Sequence, residues 1–158
     1  MALMDAKEYD PRPAQRRWRM VGALAVVVIV GLALWWFFRY WPEEHAVNKF
    51  FEALERQDFE TAYALYTADP DWKQHPEKHN SPTFSQFKLD WGPSGDYGPI
   101  TSHAIDCSTE YKRRDSSASG VIVTVTINKR SEPTSLWVQK KTKEITFSPW
   151  QALCHPPR

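Results

Sequence analysis

The chain predicts an α+β fold behind a membrane anchor: an N-terminal transmembrane helix followed by three helices packed on a curved antiparallel four-stranded sheet. Three observations carry that expectation. An uncharged apolar run, Met20–Phe38, stands near the N-terminus. Between Pro42 and Trp91 apolar residues recur at spacings of three and four, the period of a helix with one buried face. After Pro99 the period drops to two, the signature of strands. The organisation that follows is a basic tail at 1–19, a transmembrane helix at 20–41 and an exoplasmic or periplasmic domain at 42–158.

The apolar run reaches roughly 28 Å at about 1.5 Å per helical residue, enough to cross a bilayer core. A secretory signal peptide has a shorter apolar region, about 7–15 residues, and a small-residue cleavage site. Here the run ends in Trp35, Trp36, Phe37 and Phe38. A buried core helix keeps a polar face, and this run has none. The reading is therefore a permanent single-pass anchor.

Its flanks set the orientation. Lys7, Arg12, Arg16, Arg17 and Arg19 precede the span, whereas only Arg39 follows closely, before Glu43 and Glu44. Basic residues stay on the cytoplasmic side, which places the N-terminus inside and the domain outside. Trp18 at one end, and Trp35, Trp36, Tyr40 and Trp41 at the other, are amphipathic rings suited to the headgroup level. Arg39 can snorkel to the same depth. The tail itself, with Pro11 and Pro13 and no helical period, reads as irregular or lipid-bound.

In the outer domain, Pro42 with Glu43 and Glu44 forms a helix start. Ala46, Val47, Phe50, Phe51 and Leu54 supply its apolar stripe to about Gln57. Asp58 is the N-cap of a second helix, with Phe59, Ala62, Tyr63, Leu65 and Tyr66 on its apolar side. Residues 67–82 are loop. Ser81 or Thr83 caps a third short helix that Gly92-Pro93 ends. The strands are Ile100–Tyr111, an alternating run at Val121–Ile127 turned back by residues 130–133, a strand around Leu136–Val138, and a last one at Ile145–Phe147. Helices followed by an antiparallel meander give an α+β domain with one sheet face on the helices.

The stretch Val47–Leu54, continued by Asp58-Phe59-Glu60-Thr61-Ala62-Tyr63, resembles the opening of nuclear transport factor two-like (cystatin-like cone) domains. Ser85–Lys88 is similar to their third helix and Gly98–Ser102 to the entry of their first long strand. The resemblance implies a cone-shaped domain over about residues 43–150. Because the superfamily hosts enzymes, binding modules and scaffolds, it informs fold more than function. Its enzymes place Asp and His, or paired acids with Tyr, inside the cone.

By that comparison the candidate ligand-binding residues are Tyr63, Tyr66 and His103. Strict alternation along the first strand puts His103 on one face with Ile105 and Cys107, and Asp106 on the other. His75 and His79 have the i, i+4 spacing of a metal pair, but Pro76 disfavours a helix there and no third ligand is evident, so no metal is assigned. Cys107 and Cys154 are the only cysteines. In an oxidising compartment they form one disulfide; two buried free thiols are the alternative. Trp137 lies between Leu136 and Val138, so either Trp137 or that pair faces outward. An exposed Trp137 would be an anchor for a protein partner.

Charged residues make up 25% of the chain and the net charge is +1. That balance gives no reason to invoke nucleic acid. No phosphate loop, nucleophile elbow or paired-carboxylate spacing is present, and no cofactor is implied. The expectation is a non-enzymatic accessory or scaffold subunit in the cell (inner) membrane. Its partners would be the lipid bilayer and an integral membrane protein. The alternative is a ligand-binding or enzymatic domain with an internal pocket.

Overall fold

The structure, a computed structural model, describes residues 12–79, 81–112 and 119–150. The chain divides into two compact units, residues 1–39 and 40–158.

Among its described residues, the first unit holds one helix, α1 (Arg12–Phe37). It begins within the tail expected to be irregular. Once a long run has nucleated, each added residue gains a hydrogen bond without a new nucleus. Pro13 is tolerated because it lies in the first turn. Every residue from Trp18 to Phe38 is exposed, and the helix is long and apolar enough to cross a membrane. Nothing within the unit buries a face of it, which separates it from a core helix.

The second unit opens with α2 (Trp41–Glu55), α3 (Phe59–Thr67) and α4 (Phe84–Trp91). Pro42 sits in the first turn of α2, with Glu43 and Glu44 beside it where the helix dipole favours acids. The Asp58 carboxylate accepts the Thr61 N–H at 3.1 Å and caps α3. The Thr83 hydroxyl accepts the Gln86 N–H at 3.3 Å and caps α4. Between α3 and α4 the expected loop contains two 3₁₀ turns, Trp72–Gln74 and Pro76–Lys78.

Four strands follow: β1 (His103–Lys112), β2 (Ser119–Ile127), β3 (Thr134–Gln139) and β4 (Ile145–Phe147). They form an open antiparallel sheet in sequence order. Val121, Val123, Val125 and Ile127 of β2, with Leu136 and Val138 of β3 and Ile145 of β4, are buried in one core with Val47, Phe50, Phe51 and Leu54 of α2. Leu136 and Val138 thus face the helices, and Trp137 lies on the other side of the sheet.

Two details differ from strict alternation. The register of β1 against β2 shifts between Ile105 and Cys107, a β-bulge at Asp106. His103 and Ile105 pair with Ile127 and Val125 on the helix side, but Cys107 pairs with Thr124 on the opposite face. Cys107 therefore does not share a face with His103, because one extra residue inverts the parity of everything after it. The second detail is the β2–β3 connection. It turns first at Asn128 and Lys129, both at positive φ (51° and 56°), and bends again at 131–132 before β3 begins. Arg130 N–H reaches Ile127 O at 3.0 Å to close that turn.

Candidate functional site

The space between helices and sheet, where the cone comparison puts a cavity, is occupied by rings. Phe50 of α2 lies 5.9 Å from Tyr66, 6.2 Å from Phe87 and 5.1 Å from Trp91 between centroids. Tyr63 packs edge-on against Phe87 at 5.2 Å and Phe84 at 5.3 Å. Edge-to-face contacts of this kind are favourable beyond the area they bury.

Tyr63 and Tyr66 belong to this cluster and are buried. The Tyr63 hydroxyl donates to Pro82 O at 2.8 Å, which spends its polar end on the backbone of the loop before α4. Burial pushes the Tyr63 phenol above its ordinary range. Tyr66 is raised to about 12, chiefly by burial, with the carboxylates of Asp90 and Glu144 adding to it.

His103 stands at the other end of the ring chain, stacked on Phe51 at 5.1 Å and 19°. Its Nδ1 is 2.7 Å from Glu55 Oε1 and its Nε2 is 3.0 Å from the Asn48 side-chain oxygen. Both nitrogens are thus engaged by α2, and neither is presented as a free base or ligand atom. His103 fastens the start of β1 to α2. Tyr63 joins Tyr66 through the Phe87 ring, and Tyr66 joins His103 through Phe50 and Phe51; among the described residues the three line no common groove.

The α3–α4 loop carries His75 and His79. His79 Nε2 meets Asp69 Oδ2 at 2.9 Å, and this hydrogen bond holds the Asp69 carboxyl below its ordinary range. His75 lies between the two 3₁₀ turns. Among the described residues, no group of three or more His, Cys, Asp or Glu is arranged to hold a metal ion.

On the outer sheet face Trp137 is half-buried. Its indole lies over Gly120, where an added Cβ would come within 2.1 Å of Cε2. The residue expected as a free anchor is thus partly spent on its own sheet. Cys107 is disulfide-bonded; Cys154 lies outside the described residues. Of the interfacial set, Trp18, Trp35, Trp36 and Trp41 are exposed. Arg39 lies 5.8 Å from the Trp36 ring centroid. Tyr40 is half-buried, and Trp41 stacks on His45 at 4.9 Å.

Among the described residues, three surface grooves lie elsewhere. One of about 550 Å³ runs between Ala46, Leu65 and Thr142, and one of about 300 Å³ lies beside Trp72 and Lys73. The third, about 390 Å³, is at the β2–β3 end of the sheet. None of the three is lined by Tyr63, Tyr66 or His103.

Sequence reasoning missed the residue that builds that last end, Asn128. Its side-chain oxygen accepts Thr101 N–H at 2.8 Å and the Thr101 hydroxyl at 3.1 Å. Its amide donates to Pro99 O at 2.9 Å and Tyr97 O at 3.2 Å. An Asn directly after an alternating run was the available signal, since Asn tolerates the left-handed turn. Compared with family models, curated proteins and solved structures, the chain matches none.

Proposed function

We propose that this protein is a membrane-anchored, non-enzymatic accessory or scaffold subunit of a larger membrane assembly. One observation carries the reading: a helix exposed from Trp18 to its end at Phe37 is joined to a domain whose core, among the described residues, is a cluster of its own rings and aliphatic side chains. An apolar helix without an internal partner belongs in lipid, against the helices of another membrane protein, or both. A domain whose interior is filled by side chains favours surface contact over enclosure of a substrate.

In this reading α1 spans the cell (inner) membrane once, with the basic N-terminal tail in the cytoplasm. The domain stands on the periplasmic or exoplasmic side. The disulfide at Cys107 supports that side, because such bonds persist in oxidising compartments. The order of three helices and an antiparallel meander supports the nuclear transport factor two-like reading of the domain.

The test is purification of the tagged full chain from its native membrane in mild detergent, with size and mass-spectrometric composition. Recovery in fixed stoichiometry with another integral membrane protein supports the proposal. Recovery as a lone small particle overturns it.

A further inference from the structure

We propose that the groove at the β2–β3 end of the domain binds a small zwitterion, a compound of amino-acid or dipeptide size carrying one ammonium and one carboxylate. This groove lies apart from Tyr63, Tyr66 and His103, and the proposal does not depend on the anchor or on a membrane partner.

The first argument is construction. The walls are held without a ligand. Tyr97 is stacked on Trp91 at 5.4 Å and 16°, and Phe147 on Trp91 at 5.1 Å and 4°. The Thr134 hydroxyl donates to the Tyr97 hydroxyl at 2.9 Å. The Arg130 guanidinium lies 5.6 Å from the Tyr97 ring centroid. Asn128 ties the backbone of Tyr97 and Pro99 to the β2–β3 turn. Gly98, at φ +64°, lets the chain turn between them. A groove whose aromatic walls are already packed loses little entropy there on binding.

The second argument is charge. The groove, about 390 Å³ and open to solvent, is lined by Asp96, Arg130 and Glu132 together with Tyr97, Phe147 and Ser148. Elsewhere in the domain Lys140 pairs with Glu110, Lys143 with Glu43, His103 with Glu55 and His79 with Asp69. Asp96, Arg130 and Glu132 form no ion pair among the described residues. Exposed charges of both signs thus line one concavity with aromatic walls. A simple anion would meet two carboxylates, and a simple cation would meet Arg130. A zwitterion satisfies both, with its carboxylate on the guanidinium and its ammonium on the acidic side.

The experiment uses the full chain in lipid nanodiscs and ligand-observed saturation-transfer NMR. The panel is the twenty free amino acids and a set of glycyl dipeptides, which distinguishes the two sources of the same chemistry. Each is compared with its N-acetyl and C-amide forms. The expected result is saturable binding of at least one zwitterion, weakened about tenfold or more by capping either end. Arg130→Gln should remove the difference between acid and amide, and Asp96→Asn with Glu132→Gln the difference between free and acetylated amine. These side chains are exposed, so the fold is retained. Binding by none of the panel overturns the proposal, as does equal binding of capped and uncapped forms or unchanged affinity in Arg130→Gln.

Discussion

His103 meets two α2 side chains, Glu55 and Asn48, through its two ring nitrogens while its face lies on Phe51. Removing it leaves a half-buried carboxylate without its donor. His103→Ala should lower unfolding free energy by about 1.5–3 kcal/mol, read by urea denaturation. The catalytic alternative instead predicts lost turnover at unchanged stability. Asn128→Ala removes at least four hydrogen bonds from one loop and should cost about 2 kcal/mol or more. At the same scale, Tyr66 sets an alkaline limit. Its pKa is raised to about 12 in the folded state, against about 10 for a free phenol. The neutral form is the one the fold favours, so its contribution is complete below about pH 10 and is lost as pH rises towards about 12. Tyrosinate absorbance should show one or more late-ionising phenols that titrate together with unfolding, and Tyr66→Phe should remove the latest.

At the scale of elements, the helices were legible because each carries its own signal. Asp58 and Thr83 cap where the caps were expected, and the α2 stripe is the buried face. The β-sheet was legible in count and direction but not in facing. Asp106 gives no local warning that it is the bulged residue, and the inversion it causes moves Cys107 to the outer face. Trp137 was legible as ambiguous; Leu136 and Val138 take the core side, and Trp137 lies over Gly120 of the neighbouring strand. Gly120→Ala should force the indole aside and cost about 1–3 kcal/mol. In a double-mutant cycle, Trp137→Ala should abolish most of that cost, because the clash is with this one ring. An equal penalty in both backgrounds would mean that backbone strain, and not the indole, is responsible.

For the whole molecule, the disulfide at Cys107 is a covalent constraint on the sheet. If Cys107 is bonded to Cys154, the closed loop of about 48 residues contributes up to about 4 kcal/mol in the chain-entropy model. Cys107→Ser should lower the midpoint of unfolding accordingly, and so should a reductant with the native chain. Peptide mapping without reduction should recover the two cysteines in one linked fragment. The candidate site shows the limit of reading from the sequence. Tyr63, Tyr66 and His103 were legible as buried polar-ended rings on the right elements, but whether they enclose a cavity depends on Phe50, Phe51, Phe87 and Trp91 arriving together.

Composition and period by themselves determined the apolar helix, its position near the N-terminus, the α+β order and the antiparallel direction of the strands. These follow from spacing along a few turns or residues, which local physics sets. Tertiary structure alone decided that the rings fill the interior, that both His103 nitrogens are engaged, that Cys107 faces away from the helices, and that Asp96, Arg130 and Glu132 surround one groove. Each of these joins residues far apart in the chain or turns on a one-residue change of register, and no local pattern encodes either.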